Sequence, residues 1–121
     1  MNVAPSAPSK SFLAASGALC AGIAVALAAY AAHAAAGMAQ GLLQTAAALL
    51  FGHGLALAAL ARGAFCRRRR WAFVALLAGS VLFAGSVALH VFAQVPPRLA
   101  PTGGMLMIGG WLLLAFDLLQ E

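Results

Sequence analysis

The fold is decided by residues 11–61, SFLAASGALCAGIAVALAAYAAHAAAGMAQGLLQTAAALLFGHGLALAALA, a run without a single Asp, Glu, Lys or Arg. A helix crosses the hydrocarbon core of a bilayer with about 20 apolar residues. This run is too long for one crossing and fits two, joined by a tight turn. The turn is expected at about Ala34 to Gly41, where Gly37, Gln40 and Gly41 cluster and bulky apolar side chains thin out. That predicts a first helix at about 12–35 and a second at about 42–61.

Downstream, Trp71 to Ala93 reads as a third helix, opened by an interfacial tryptophan and closed before Pro96 and Pro97. Pro101 suits the first turn of a fourth, at about 101–119, because a proline there loses no helical hydrogen bond. Upstream, residues 1–11 form a short polar tail containing Pro5 and Pro8. Lys10, the apolar segment and the small residues at Ala32 to Ala36 resemble a signal peptide, but the apolar segment exceeds the usual ~7–15 residues. A retained first span is expected.

Composition agrees. Of 121 residues 64% are hydrophobic and 7% charged, with a mean hydropathy of +1.00. Soluble domains are about a quarter charged, so this chain cannot coat a water-facing globule. The expected fold is all-α: one integral membrane four-helix bundle over residues 12–121, with no room for a second domain.

The net charge of +5 is concentrated, since five of the seven basic residues are Arg62 and Arg67 to Arg70. Nothing interleaves them with the aromatic surface that nucleic-acid recognition requires. Lys/Arg excess marks cytoplasmic flanks, so this loop, Lys10, Asp117 and Glu121 are placed inside and Arg98 outside. The topology is N-in/C-in. Arg67, Arg68, Arg69 and Arg70 are candidate contacts for anionic headgroups, at about 1 kcal/mol per residue near an anionic surface; the alternative is that the run only sets orientation. Cys20 and Cys66 form no CxxC motif and imply no disulfide framework, and Leu19 stands where a lipoprotein signal has a small residue.

Close packing in lipid depends on small residues, and the first two helices are dominated by alanine. Gly79-Ser80 and Gly85-Ser86 lie six residues apart, an offset of roughly 120° around a helix, and suit contacts to two neighbours. Gly103 and Gly110 share a face. Tight packing within the chain is the plainer reading, and oligomer contacts are the other.

Several of these residues resemble a known family. Gln44-Thr45 to Phe51-Gly52-His53, then Gly79-Ser80-Val81-Leu82-Phe83-Ala84-Gly85-Ser86, then Pro101-Thr102-Gly103-Gly104 with Gly110-Trp111, are similar in order and spacing to the YgdD-like family of small bacterial inner-membrane proteins. Ala28-Ala29-Tyr30-Ala31-Ala32-His33 resembles that family's Gly-Ala-Phe-Gly-Ala-His stretch, with alanine for glycine and tyrosine for phenylalanine. The family is a domain of unknown function with short eukaryotic transmembrane relatives. The resemblance implies a four-helix, multi-pass protein of the bacterial inner (plasma) membrane and brings no activity.

Ionisable groups inside a membrane are costly and are functional candidates by default. Here they are His33, His53, His90 and Asp117, with Gln44 and Tyr30 as neutral partners. His33, Gln44 and His90 fall within a turn or two of the outer boundary. His53 falls near the middle of the second helix and Asp117 near the inner boundary. Two histidines and a glutamine are too few for a metal site, and His53 lies too deep to share a haem with either other histidine. No metal and no cofactor are therefore expected. His53, between Gly52 and Gly54, is either a neutral imidazole bonded to Ser80, Ser86 or a backbone carbonyl, or a proton-relay or ligand contact. Asp117, at an unfavourable helix end, is expected to pair with Arg62, Lys10 or the arginine run.

Three functions compete. A non-enzymatic structural or accessory component of a membrane assembly, in a larger complex or a homo-oligomer, fits best. A small-solute or proton transporter acting as an oligomer is the alternative, although the first helix lacks the carboxylate that small multidrug exporters use. An enzyme is disfavoured, because no nucleophile and base, paired carboxylates or phosphate loop is present.

Overall fold

The computed structural model describes residues 11–121 and consists of four helices: α1 Phe12–Ala34, α2 Gly37–Leu60, α3 Arg67–Ala93 and α4 Ala100–Leu119. Each is long and apolar enough to cross a membrane. The protein is an all-α, multi-pass four-helix bundle. Residues 1–10, and with them Lys10 and most of the expected polar tail, lie outside the described residues.

Two helix starts differ from the sequence reading. The second helix, expected at about Leu42, begins at Gly37, because the chain reverses within Ala35 and Ala36. Gly37 takes φ +65° there, a left-handed conformation that glycine adopts without steric cost. Gly41 lies on an open helical surface instead. The third helix, expected at Trp71, begins at Arg67, so the arginine run is its first turn and not a loop. Its 27 residues span about 40 Å, and the hydrocarbon core is only ~30 Å thick. The surplus turn is free to be charged.

At its other end α3 stops at Gln94, which takes φ 58° as a left-handed cap. The chain then runs through Pro96 and Pro97 into α4, which carries Pro101 in its first turn.

The helices pack as two tight hairpins, α1–α2 and α3–α4, joined along α2–α3. Helix α1 touches α3 only lightly, through the ring of Tyr30 edge-on to Phe92 at 5.1 Å among other contacts. Each hairpin crosses on a pair of glycines. A methyl group on Gly17 would lie 2.5 Å from the Gly54 carbonyl oxygen, and one on Gly54 equally close to the Gly17 carbonyl. In the other hairpin, methyls on Gly79 and Gly103 would lie 2.7 and 2.6 Å from each other's carbonyl oxygens. Backbone meets backbone at both points.

Gly103 and Gly110 do share the face toward α3. Of the two Gly-Ser pairs on α3, Gly79, Ser80 and Ser86 are buried, and Gly85 is open. The core has two clusters. Cys20, Ala24, Ala46, Leu50, Ala84 and Val87 form one, and Leu57, Ala61, Ala72, Phe73, Leu76 and Leu114 form the other, nearer the arginines. Large side chains such as Leu19, Ile23, Val81 and Leu112 point outward, as lipid-facing residues do.

Candidate functional site

The earlier start of α2 moves its midpoint to about Leu49, which puts His53 roughly a turn nearer the arginine end than the sequence reading had it. Its neighbour Gly54 lets α1 approach, and the imidazole itself points around the helix toward α4. There the Trp111 indole N–H donates to His53 Nε2 at 3.0 Å. The rings are 5.8 Å apart, tilted by 55°.

Since Nε2 accepts, the ring hydrogen sits on Nδ1, which lies 2.7 Å from the Leu49 carbonyl oxygen and donates to it. A helical carbonyl has a second lone pair for such a bond. The arrangement fits a neutral imidazole in one tautomer with both nitrogens engaged, and His53 is buried. The backbone-carbonyl partner was among those anticipated. Trp111 was not, and Ser80 bonds within its own helix, to Leu77 at 3.1 Å. This bond bridges helices whose backbones stay apart: among the described residues no Cα of α2 lies within 8 Å of one in α4. The side chains of His53 and Trp111 span that gap.

The second polar centre stands at the arginine end. Asp117 is buried near the end of α4, with Oδ2 2.6 Å from Arg69 Nε and Oδ1 3.7 Å from Arg68 Nη1. The Cys66 thiol donates to Oδ1 at 3.2 Å. Arg69 also reaches Glu121 through Nη2. Two arginines thus offset the cost of a carboxylate at a helix C-terminus. Of the three partners expected for Asp117, the arginine run supplies the one observed; Arg62 is exposed in the α2–α3 connection, and Lys10 lies outside the described residues.

The run itself is divided. Arg68 and Arg69 turn toward α4, and Arg68 also lies 5.0 Å over the Phe116 ring. Arg67 and Arg70 turn elsewhere, with Arg70 5.8 Å over the ring of Phe65. A helix explains the division, because Arg67, Arg70 and Trp71 stand at i, i+3 and i+4 on one face.

The remaining candidates do not converge. His33 and Gln44 are exposed on α1 and α2. His90 Nδ1 lies 3.2 Å from the Val95 carbonyl and tethers the α3–α4 connection. Among the described residues no three His, Cys, Asp or Glu side chains are grouped to hold a metal ion.

The Protein of unknown function (DUF423) family model matches residues 27–104, more than half of the chain, with His53, the arginine run and both Gly79 and Gly103 inside the match. No curated protein and no solved structure matches the chain.

Proposed function

The chain belongs to the DUF423 family, whose function is unknown, and on that premise we propose that it is a non-enzymatic accessory component of a membrane assembly. The observation that carries this reading is the commitment of the buried His53 and Asp117 side chains to joining helices. His53 has a partner on each nitrogen, and Asp117 is neutralised by two arginines. Both nitrogens of His53 and both carboxylate oxygens of Asp117 have protein partners. A reacting group needs a site left free for its substrate, whereas a structural lock does not.

The outer surfaces support the same reading. Only 17% of the α1 span is buried within the chain, against 44% for α3. Exposed positions of α1 alternate bulky Leu19 and Ile23 with Gly22, Ala26 and Ala29, and such small residues permit close helix contacts in lipid. The neighbour is a second copy or a larger complex in a bacterial inner membrane. The arginine end is cytoplasmic by the positive-inside rule, so the start of α1 and the end of α4 both face inward.

Photoreactive groups at Leu19 and Ile23 on α1 and at Val81 on α3, activated in intact membranes, are expected to give discrete protein adducts. Lipid adducts alone, with the purified protein running as a monomer, would overturn the accessory role. Proton and cation flux in liposomes would then be the next measurement. Orientation is tested separately: a reporter fused after Glu121 reads cytoplasmic and one inserted near Gly37 reads external. Changing Arg67 to Arg70 to glutamine is expected to give mixed orientation.

A further inference from the structure

The whole chain contains two acidic side chains, Asp117 and Glu121. Both are taken by Arg69, and Asp117 also by Arg68. No carboxylate side chain remains for Arg67 and Arg70, so their counter-charge must come from outside the protein. We propose that Arg67 and Arg70 form the headgroup site for one anionic phospholipid of the leaflet on the arginine side.

The surroundings have the shape of an amphiphile. Arg70 and Phe65 line two adjoining clefts at this end of the bundle. One is shared with Arg67 and Trp71, and the other runs between the start of α1 and α3, where Phe12 and Leu13 are its apolar walls. Cations stand at the mouth and hydrocarbon surfaces below. The guanidinium of Arg70 rests over the Phe65 ring, an arrangement that occupies its face and leaves the in-plane N–H donors for a phosphate. Trp71 is 58% exposed on the same face, at the level where tryptophan anchors to headgroups. The first turn of α3 carries no side-chain cap at Cys66, so its backbone N–H groups add to the same field.

The division of the arginine run makes this site specific. Four arginines acting together would attract anionic lipid diffusely around the rim. Two withdrawn into ion pairs with α4, and two turned toward an apolar cleft, select one place for one lipid. A zwitterionic lipid brings its own ammonium to the mouth and gains less from the pair.

The test is lipid retention by the purified full chain, in mild detergent with equal phosphatidylglycerol and phosphatidylethanolamine, read by native mass spectrometry. Arg67→Gln/Arg70→Gln is expected to lower the ratio of retained anionic to zwitterionic lipid roughly thirtyfold, the scale of two arginines near an anionic charge. The charge-matched Arg62→Gln/Arg68→Gln is expected to leave that ratio unchanged. Equal loss in both variants, or none in either, would overturn the site. Excess inorganic phosphate is expected to leave the lipid bound, since the apolar walls also hold it; displacement by phosphate would show a simple anion site and overturn the proposal. If the first variant does not fold, a photoactivatable phosphatidylglycerol on the unmodified protein decides. Adducts at Leu13, Phe65 or Trp71 support the site, and adducts spread along the α4 rim refute it.

Discussion

The α1–α2 hairpin contains no formal charge among its described residues, and the α3–α4 hairpin is closed by three ion pairs. Both cross on two glycines. At its ends, however, the first hairpin relies on neutral hydrogen bonds, from Ser11 to the Ala61 carbonyl and from Gln40 to the Ala31 carbonyl at 3.0 Å. The second places Arg68, Arg69, Asp117 and Glu121 at its base, beyond the hydrocarbon. Backbone proximity alone suffices where the chain stays in lipid. Where α3 and α4 end on the arginine side, ion pairs are added to the close packing, whereas α1 and α2 end there on a neutral bond.

The glycine crossings carry the largest expected effects. Gly54→Ala and Gly103→Ala each insert a methyl against backbone, which cannot rotate away, and should cost about 3 kcal/mol, the upper range for overpacking. Unfolding titrations in mixed detergent measure this. If Gly54→Ala were tolerated while Gly103→Ala was not, the equivalence of the two crossings would fail.

Next in size is Asp117→Asn, which acts only on the charged hairpin. Arg69 loses its buried partner, and the end of α4 should loosen without disturbing α1–α2. The Cys66 thiol, released from its bond to Asp117, should then react faster with maleimide, and hydrogen exchange should rise at the end of α4 but not at the start of α1. A uniform rise in both hairpins would show that the ion cluster supports the whole bundle.

A smaller effect is expected where the hairpins meet. His53→Leu and Trp111→Phe each remove the same bond, and each should cost about 1 kcal/mol, the scale of an intramembrane hydrogen bond. The double variant should cost little more than either single one. The smallest effect tests the glycine argument itself: a methyl on Gly85 meets nothing within 4 Å, so Gly85→Ala should stay within about 0.5 kcal/mol of the unmodified protein.

The four spans were legible because hydropathy and length constrain a membrane helix more tightly than a soluble one. The start of α2 was not, because Gly37 and Gly41 both read as turn residues, whereas Gly37 alone serves the turn and Gly41 lies inside the helix. The arginine run reads as a loop until α3 is known to begin at Arg67; only then does helical phase separate Arg68 and Arg69 from Arg67 and Arg70. His53 was recognisable as buried and bonded. Its partner Trp111 lies far along the chain, and no local pattern couples the two. The arginine pairing of Asp117 was anticipated, since few cations were near enough to serve.

The bond from Trp111 to His53 also makes the molecule report on itself. The chain has two tryptophans, so Trp71→Phe leaves a single indole at the junction of the hairpins. An indole whose N–H is held by a neighbouring imidazole differs in emission from one facing lipid. Separation of α4 from α2 therefore changes the colour and lifetime of that fluorescence, and the opening of the bundle can be followed in a native bilayer without an added label.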